Sequence, residues 1–165
     1  MHLKVFDGMV IMPIDADTQK FSRKEPFELL ELLGYGGFAQ TYKARVLDAQ
    51  LRNDFGEEII ALKIPLADKV RAVKRDLEMH TLLHLRLRDL EALNLVRYLG
   101  FDLFEGKIVL AFEYITGGSL RDRIGRIGHQ KPLSVGEAIG IAEGILQGLV
   151  VIHQEHIFHR DTKPE

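Results

Sequence analysis

Cysteine is absent from this 165-residue sequence, which excludes a disulfide framework and any thiolate metal site and is compatible with a reducing cytosol. An excess of one charge is absent too. Acids and bases are interspersed to a formal net charge of -2, which gives no reason to expect nucleic acid or an anionic membrane as a partner. The N-terminus lacks the basic-then-apolar order of a secretory signal, because Asp7, Pro13, Asp15 and Asp17 interrupt its apolar residues. The longest apolar stretches read as too short to span a bilayer, and neither an internal repeat nor a low-complexity tract is present. What the chain does have is a hydrophobic share of 46%, which suits a buried core in one ordinary domain or in a small lobe plus part of another. These features predict a globular, cytoplasmic chain whose partners are small molecules or proteins.

The first 22 residues follow no steady period and read as a lead-in strand or loose tail. From Phe27 to Leu33 the sequence is apolar-rich, Gly34-Tyr35-Gly36-Gly37 breaks it, and Thr41 to Val46 resumes in alternation, which predicts a β-hairpin with a glycine-rich turn. Asn53-Asp54-Phe55-Gly56 reads as a second turn, followed by a third strand over Glu58 to Ile64 that Pro65 stops. Asp68 can cap a helix whose apolar stripe runs through Val70, Val73, Leu77, Leu82 and Leu85. Leu95 to Phe101 and Lys107 to Tyr114 read as two more strands about a turn at Glu105-Gly106. Thr116-Gly117-Gly118-Ser119 then reads as a linker between lobes. Beyond it, Ser134 and Glu137 have the spacing of a capping box opening a long helix from Val135 to His153, apolar nearly all round and in need of burial.

Three constellations carry chemistry. The glycines of Leu33 to Tyr42 stand where a strand turns back, so the backbone there can approach phosphate oxygens and donate to them. Taken alone, that motif also suits a hairpin turn without a ligand. A dinucleotide fold is the other option, but its glycines open a helix, whereas Thr41 to Val46 alternates like a strand. Lys63 lies inside the apolar run Ala61-Leu62-Lys63-Ile64, where an ammonium needs an anionic partner, and Glu78 on the following helix can supply one. Phe158-His159-Arg160-Asp161-Thr162-Lys163-Pro164-Glu165 crowds an acid, bases and an imidazole just after the long helix.

This last segment resembles the catalytic loop H-R-D-x-K-P-E-N of protein kinases, and its lysine resembles the serine/threonine type. The remaining elements follow in the family's order from about Phe27 to the last residue. A small-molecule phosphotransferase of kinase-like fold is the related alternative, but its usual H-G-D lacks the continuation seen in Arg160 and Lys163 to Glu165. The resemblance implies an α+β protein kinase-like fold: a five-stranded antiparallel N-lobe with one helix over 23–115, then a hinge and the first helices of an incomplete C-lobe over 116–165.

The resemblance also implies roles. Asp161 is the catalytic base and Lys163 its companion at the transferred phosphate. Gly34, Gly36 and Ala39 take the three positions of the glycine loop, alanine replacing the third glycine, and Leu33, Gly37 and Thr41 line the nucleotide. Lys63 meets the α- and β-phosphates and pairs with Glu78. Phe112 guards the rear of the adenine pocket, backbone groups of Glu113 and Ile115 face the adenine, and Ser119 sits near the ribose. An insertion is implied within His84 to Leu93. ATP with Mg²⁺ is the expected cofactor pair, and a protein is the expected substrate. The family's metal ligands are expected beyond Glu165, so the segment is expected to be truncated and inactive or slow by itself. Its exposed C-lobe helix is expected to favour self-association. A binding module without turnover is the alternative function.

Overall fold

The computed structural model describes residues 4–6, 9–11, 25–66, 94–124, 132–156 and 158. Two short strands, β1 (Lys4–Phe6) and β2 (Met9–Ile11), pair antiparallel in a sheet of their own within the lead-in. The main sheet contains β3 (Phe27–Tyr35), β4 (Ala39–Val46), β5 (Ile59–Pro65), β6 (Tyr98–Phe104) and β7 (Lys107–Glu113). Its order is β3-β4-β5-β7-β6, with every neighbouring pair antiparallel. The expected five-stranded antiparallel sheet is therefore observed. Because β4 continues the chain as a strand directly after the glycines, a dinucleotide-binding arrangement is excluded.

Alternation along β5 sorts its side chains onto two faces. Ile60, Leu62 and Ile64 are buried, and they join Phe27, Ala44, Val46, Val109 and Ala111 in the main core. Ile60 and Leu62 are fully buried, which contributes roughly 1.5–3 kcal/mol each. Ala61 and Lys63 face the other way. There Ala61 packs beside a smaller cluster of Tyr98, Leu110 and Phe112.

The sequence reading missed one helix. Residues expected to form only a turn belong to α1 (Ala49–Phe55), which is capped at both ends. Asp48 accepts from the Leu51 N–H at 2.9 Å, and Gly56, at φ 71°, donates its N–H back to the Arg52 carbonyl. Leu51 and Phe55, four residues apart, insert into the main core. Phe55 explains a neighbouring glycine as well: Gly100 sits at φ 147° in an irregular stretch of β6, where a Cβ would come 3.0 Å from the Phe55 ring.

After β7, α2 (Leu120–Ile124) and α3 (Val135–Gln154) follow. α3 begins with the expected capping box, and its apolar side chains Val135, Ile139, Leu146 and Val150 are exposed. By length and composition α3 is long and apolar enough to cross a membrane, which corrects the view that every apolar stretch is too short. The core helix of a soluble protein meets the same criterion. β6 starts at Tyr98 rather than Leu95, because Asn94, at φ 74°, and Leu95 pack against α3 instead. The helix expected from Asp68 to Leu85, and Glu78 with it, lies outside the described residues.

Candidate active site

The glycine hairpin closes between Tyr35 and Gln40, with the Gly36 N–H donating to the Ala39 carbonyl at 2.9 Å. Its tip is tied to the end of β5 through Leu66 N–H and the Phe38 carbonyl at 3.0 Å. Among the described residues, a Cβ built on Gly34 or Gly37 would meet no atom within 4 Å, and one on Gly36 would make only ordinary contact, 3.4 Å from the Ala39 oxygen. Packing within the protein therefore does not demand these glycines. They leave the backbone open, which suits an approaching phosphate. Ala39, at the third loop position, is buried, and Leu33 is exposed.

Cross-strand register brings the next residues together. Lys63 stands opposite Thr41 on β4 and Leu110 on β7, and all three share one face of the sheet. Two residues along lies a parallel row of Lys43, Ala61, Phe112 and Tyr98. The Phe112 and Tyr98 rings are 5.5 Å apart, so Phe112 is packed into the sheet. The half-buried Lys63 thus lies between the glycine hairpin and β7, on the face away from the main core.

β7 ends at Glu113, and the chain turns through Gly117 and Gly118 at φ 106° and 77°, values that favour glycine. Ser119 then caps α2. Its N–H and hydroxyl both donate to Asp122 Oδ2 at 2.8 Å, and its oxygen accepts from the Asp122 N–H at 3.1 Å. A ligand at this point would meet the Ser119–Asp122 pair rather than a lone hydroxyl. Ile115 is exposed, whereas the Glu113 side chain turns to Arg97.

α2 and α3 are joined by Arg123, whose guanidinium donates to Glu137 at 2.9 Å. Glu137 also accepts from the Ser134 N–H and hydroxyl, each at 2.8 Å. These bonds, the two from Ser134 foremost, lower its pKa from 4.5 to about 2. α3 docks on the strand side through Asn94, whose amide donates to Gln147 Oε1 at 3.0 Å. Beyond its C-terminal end the Phe158 ring lies 5.3 Å from that of His153. Asp161 and Lys163, which follow, lie outside the described residues.

Among the sequence-based candidates, the structure brings Gly34, Gly36, Gly37, Thr41 and Lys63 to one end of β3, β4 and β5, with Glu113 closing β7 and Ile115 and Ser119 after it. Two features escaped sequence reasoning. Lys43 Nζ lies 4.6 Å from the centroid of the Tyr114 ring, and Arg97 engages Glu113. Both pairings depend on strand register, which no local signal announces. Among the described residues no group of three or more His, Asp or Glu side chains could hold a metal ion.

An antiparallel five-stranded sheet with a glycine hairpin beside a half-buried lysine, running through a glycine turn into helices, is the small lobe of the protein kinase fold. The family model described as the protein kinase domain matches residues 27–165, and this chain belongs to that family. It is similar to mitogen-activated protein kinase kinase kinase kinase 3 of Rattus norvegicus, 29% identical over 89% of this chain and 15% of that protein. A probable serine/threonine-protein kinase of Dictyostelium discoideum is 31% identical over 97% of this chain and 30% of its own length. CBL-interacting protein kinase 12 of Oryza sativa subsp. japonica is 32% identical over 84% of this chain and 24% of its own length. The chain thus spans less than a third of each of these relatives.

Proposed function

We propose that this chain forms the ATP-binding side and carries the catalytic base of a cytoplasmic serine/threonine protein kinase. The lobe boundary falls between residues 115 and 116. The observation that carries the reading is the placement of Lys63 opposite Thr41, directly beyond the open glycine hairpin and on the face turned from the core.

On this reading the hairpin backbone and Lys63 bind the phosphates, Glu78 holds Lys63, and Phe112 closes the rear of the adenine slot. The main chain of Glu113 and Ile115 meets the adenine, with Leu33 above it and the Ser119–Asp122 pair at the ribose. Asp161 takes the proton of a substrate hydroxyl as its oxygen bonds to the γ-phosphorus. The bond from that phosphorus to the bridging oxygen breaks, and its electron pair leaves with ADP. Lys163 stands at the transferred group. Mg²⁺ would supply charge neutralisation in this chemistry.

The exposed apolar face of α3 supports self-association, expected as concentration-dependent sedimentation. The function itself is tested by titrating ATP into this chain and by following radiolabelled phosphate into a generic serine/threonine substrate, with the sequence carried in a complete kinase domain. Asp161→Asn should leave ATP binding intact and reduce transfer about 100- to 10,000-fold, the usual contribution of general base catalysis. ATP binding with no transfer sensitive to Asp161 would favour a module that holds nucleotide without turnover.

A further inference from the structure

We propose that Lys43 is a positioning residue for the nucleoside end of the site, clamped across β5 onto the ring of Tyr114; this rests on the nucleotide reading above. Lys43, Ala61 and Phe112 form one cross-strand row, and Thr41, Lys63 and Leu110 form the row two residues along. Lys43 and Lys63 therefore share a face, separated along the strands by about 7 Å. They differ in where they lie. Lys63 is beside the glycine hairpin, whereas Lys43 is level with Phe112, toward the chain segment that leaves β7.

To reach Tyr114 the Lys43 side chain crosses β5, and the residue between them in the row is Ala61, whose single methyl leaves the passage open. Its ammonium ends 4.6 Å from the ring centroid, inside the range of about 6 Å in which a cation is drawn to an aromatic face. Both residues are half-buried, so the contact is partly shielded from water. The lysine thereby joins β4, the strand descending from the glycine hairpin, to the first residue after β7. Those two surfaces flank the nucleoside end of the site, and fixing their separation fixes the fit of a flat base. The ammonium serves this purpose by holding the ring, not by meeting phosphate.

The test is calorimetric titration of the 165-residue chain with adenosine and with ATP. Lys43→Met, which keeps the apolar stem, and Tyr114→Leu should each weaken both ligands equally, about two- to five-fold, the scale of an exposed cation–π contact. The double variant should be no weaker than either single one. Lys43→Arg and Tyr114→Phe, which keep cation and ring, should bind as the unmodified chain does, with thermal unfolding reporting that each variant is folded. Lys63→Met supplies the contrast, weakening ATP more than adenosine. Unchanged binding in Lys43→Met and Tyr114→Leu, additive losses, or a Lys43 effect confined to ATP would overturn the clamp while leaving the nucleotide reading in place. An unmodified chain that takes up neither ligand would overturn the nucleotide reading itself, and the clamp with it.

Discussion

Arg97 and Glu113 are bonded in both directions: the Arg97 N–H donates to Glu113 Oε1 at 2.8 Å, and the Glu113 N–H donates to the Arg97 carbonyl at 3.0 Å. The Arg97 guanidinium adds a looser ion pair, 3.7 Å from Glu113 Oε2, and a second one with Glu57 in the turn before β5. Three segments thus meet at the point where the chain leaves β7.

The two partners are not equivalent in this arrangement, which leads to an asymmetric prediction. Arg97→Ala removes two exposed ion pairs but keeps the main-chain bond to the carboxylate, so it should cost under about 1 kcal/mol. Glu113→Ala keeps the Arg97–Glu57 pair but removes the other ion pair and the acceptor of the Arg97 N–H, a bond whose loss alone costs about 0.5–1.5 kcal/mol, so it should be the more costly of the two. Denaturant unfolding of both variants checks this. A larger loss from Arg97→Ala than from Glu113→Ala would show that the guanidinium, not the carboxylate, holds the junction.

Glycines along α3 should respond in opposite directions to the same substitution. A Cβ on Gly148 would lie 2.8 Å from the Asn94 carbonyl oxygen and 3.4 Å from Leu95 Cδ2, so Gly148→Ala should push α3 from this segment and destabilise by about 1–3 kcal/mol. At Gly140 no atom of the described residues would lie within 4 Å of a Cβ, and alanine's better helix propensity should stabilise by roughly 0.5–1 kcal/mol. Thermal melts of the two variants decide it. Equal shifts of the same sign would mean that the packing of Asn94 on α3 does not persist in solution.

What could be read from the sequence, and what could not, divides along physical lines. The α3 capping box is local, four residues with a fixed spacing, and Ser134 and Glu137 revealed it directly. The glycine hairpin and the placement of Lys63 in a strand follow from alternation, which reports which face a side chain takes. α1 escaped because Asn53 to Gly56 has turn composition and the helix spans only seven residues. Its signal was Asp48 as cap with Leu51 and Phe55 one turn apart. The Lys43–Tyr114 and Arg97–Glu113 contacts escaped for a different reason: they join strands far apart in sequence, and only the register brings them together.

Lys63 carries the prediction closest to function. Replacing it by methionine keeps the stem and removes the charge opposite Thr41, so ATP affinity should fall about tenfold or more, as for the loss of a charged hydrogen bond. Glu78→Ala should act in the same direction by freeing the lysine. Isothermal titration measures both. Unchanged affinity and turnover in the two variants would remove Lys63 and Glu78 from the site.

The start of α3 should be acid-sensitive, with a sign set by Glu137. Bonds from Ser134 and Arg123 lower its folded pKa from 4.5 to about 2, so between those values the unfolded chain binds a proton that the folded chain does not. Stability from this group is therefore complete above about pH 4.5 and is lost as the pH falls toward 2. Other carboxylates titrate in the same window, which makes the informative quantity a difference between variants. Glu137→Gln has no charge to lose at this position, so its stability should depend less on pH than that of the unmodified chain. Ser134→Ala should flatten the dependence in part, because it removes the hydroxyl bond to the carboxylate while the backbone N–H bond, the largest contribution to the shift, remains. Melting temperatures of the three proteins from pH 2 to pH 6 test this, and parallel curves across that range would show that Glu137 titrates as an ordinary surface carboxylate.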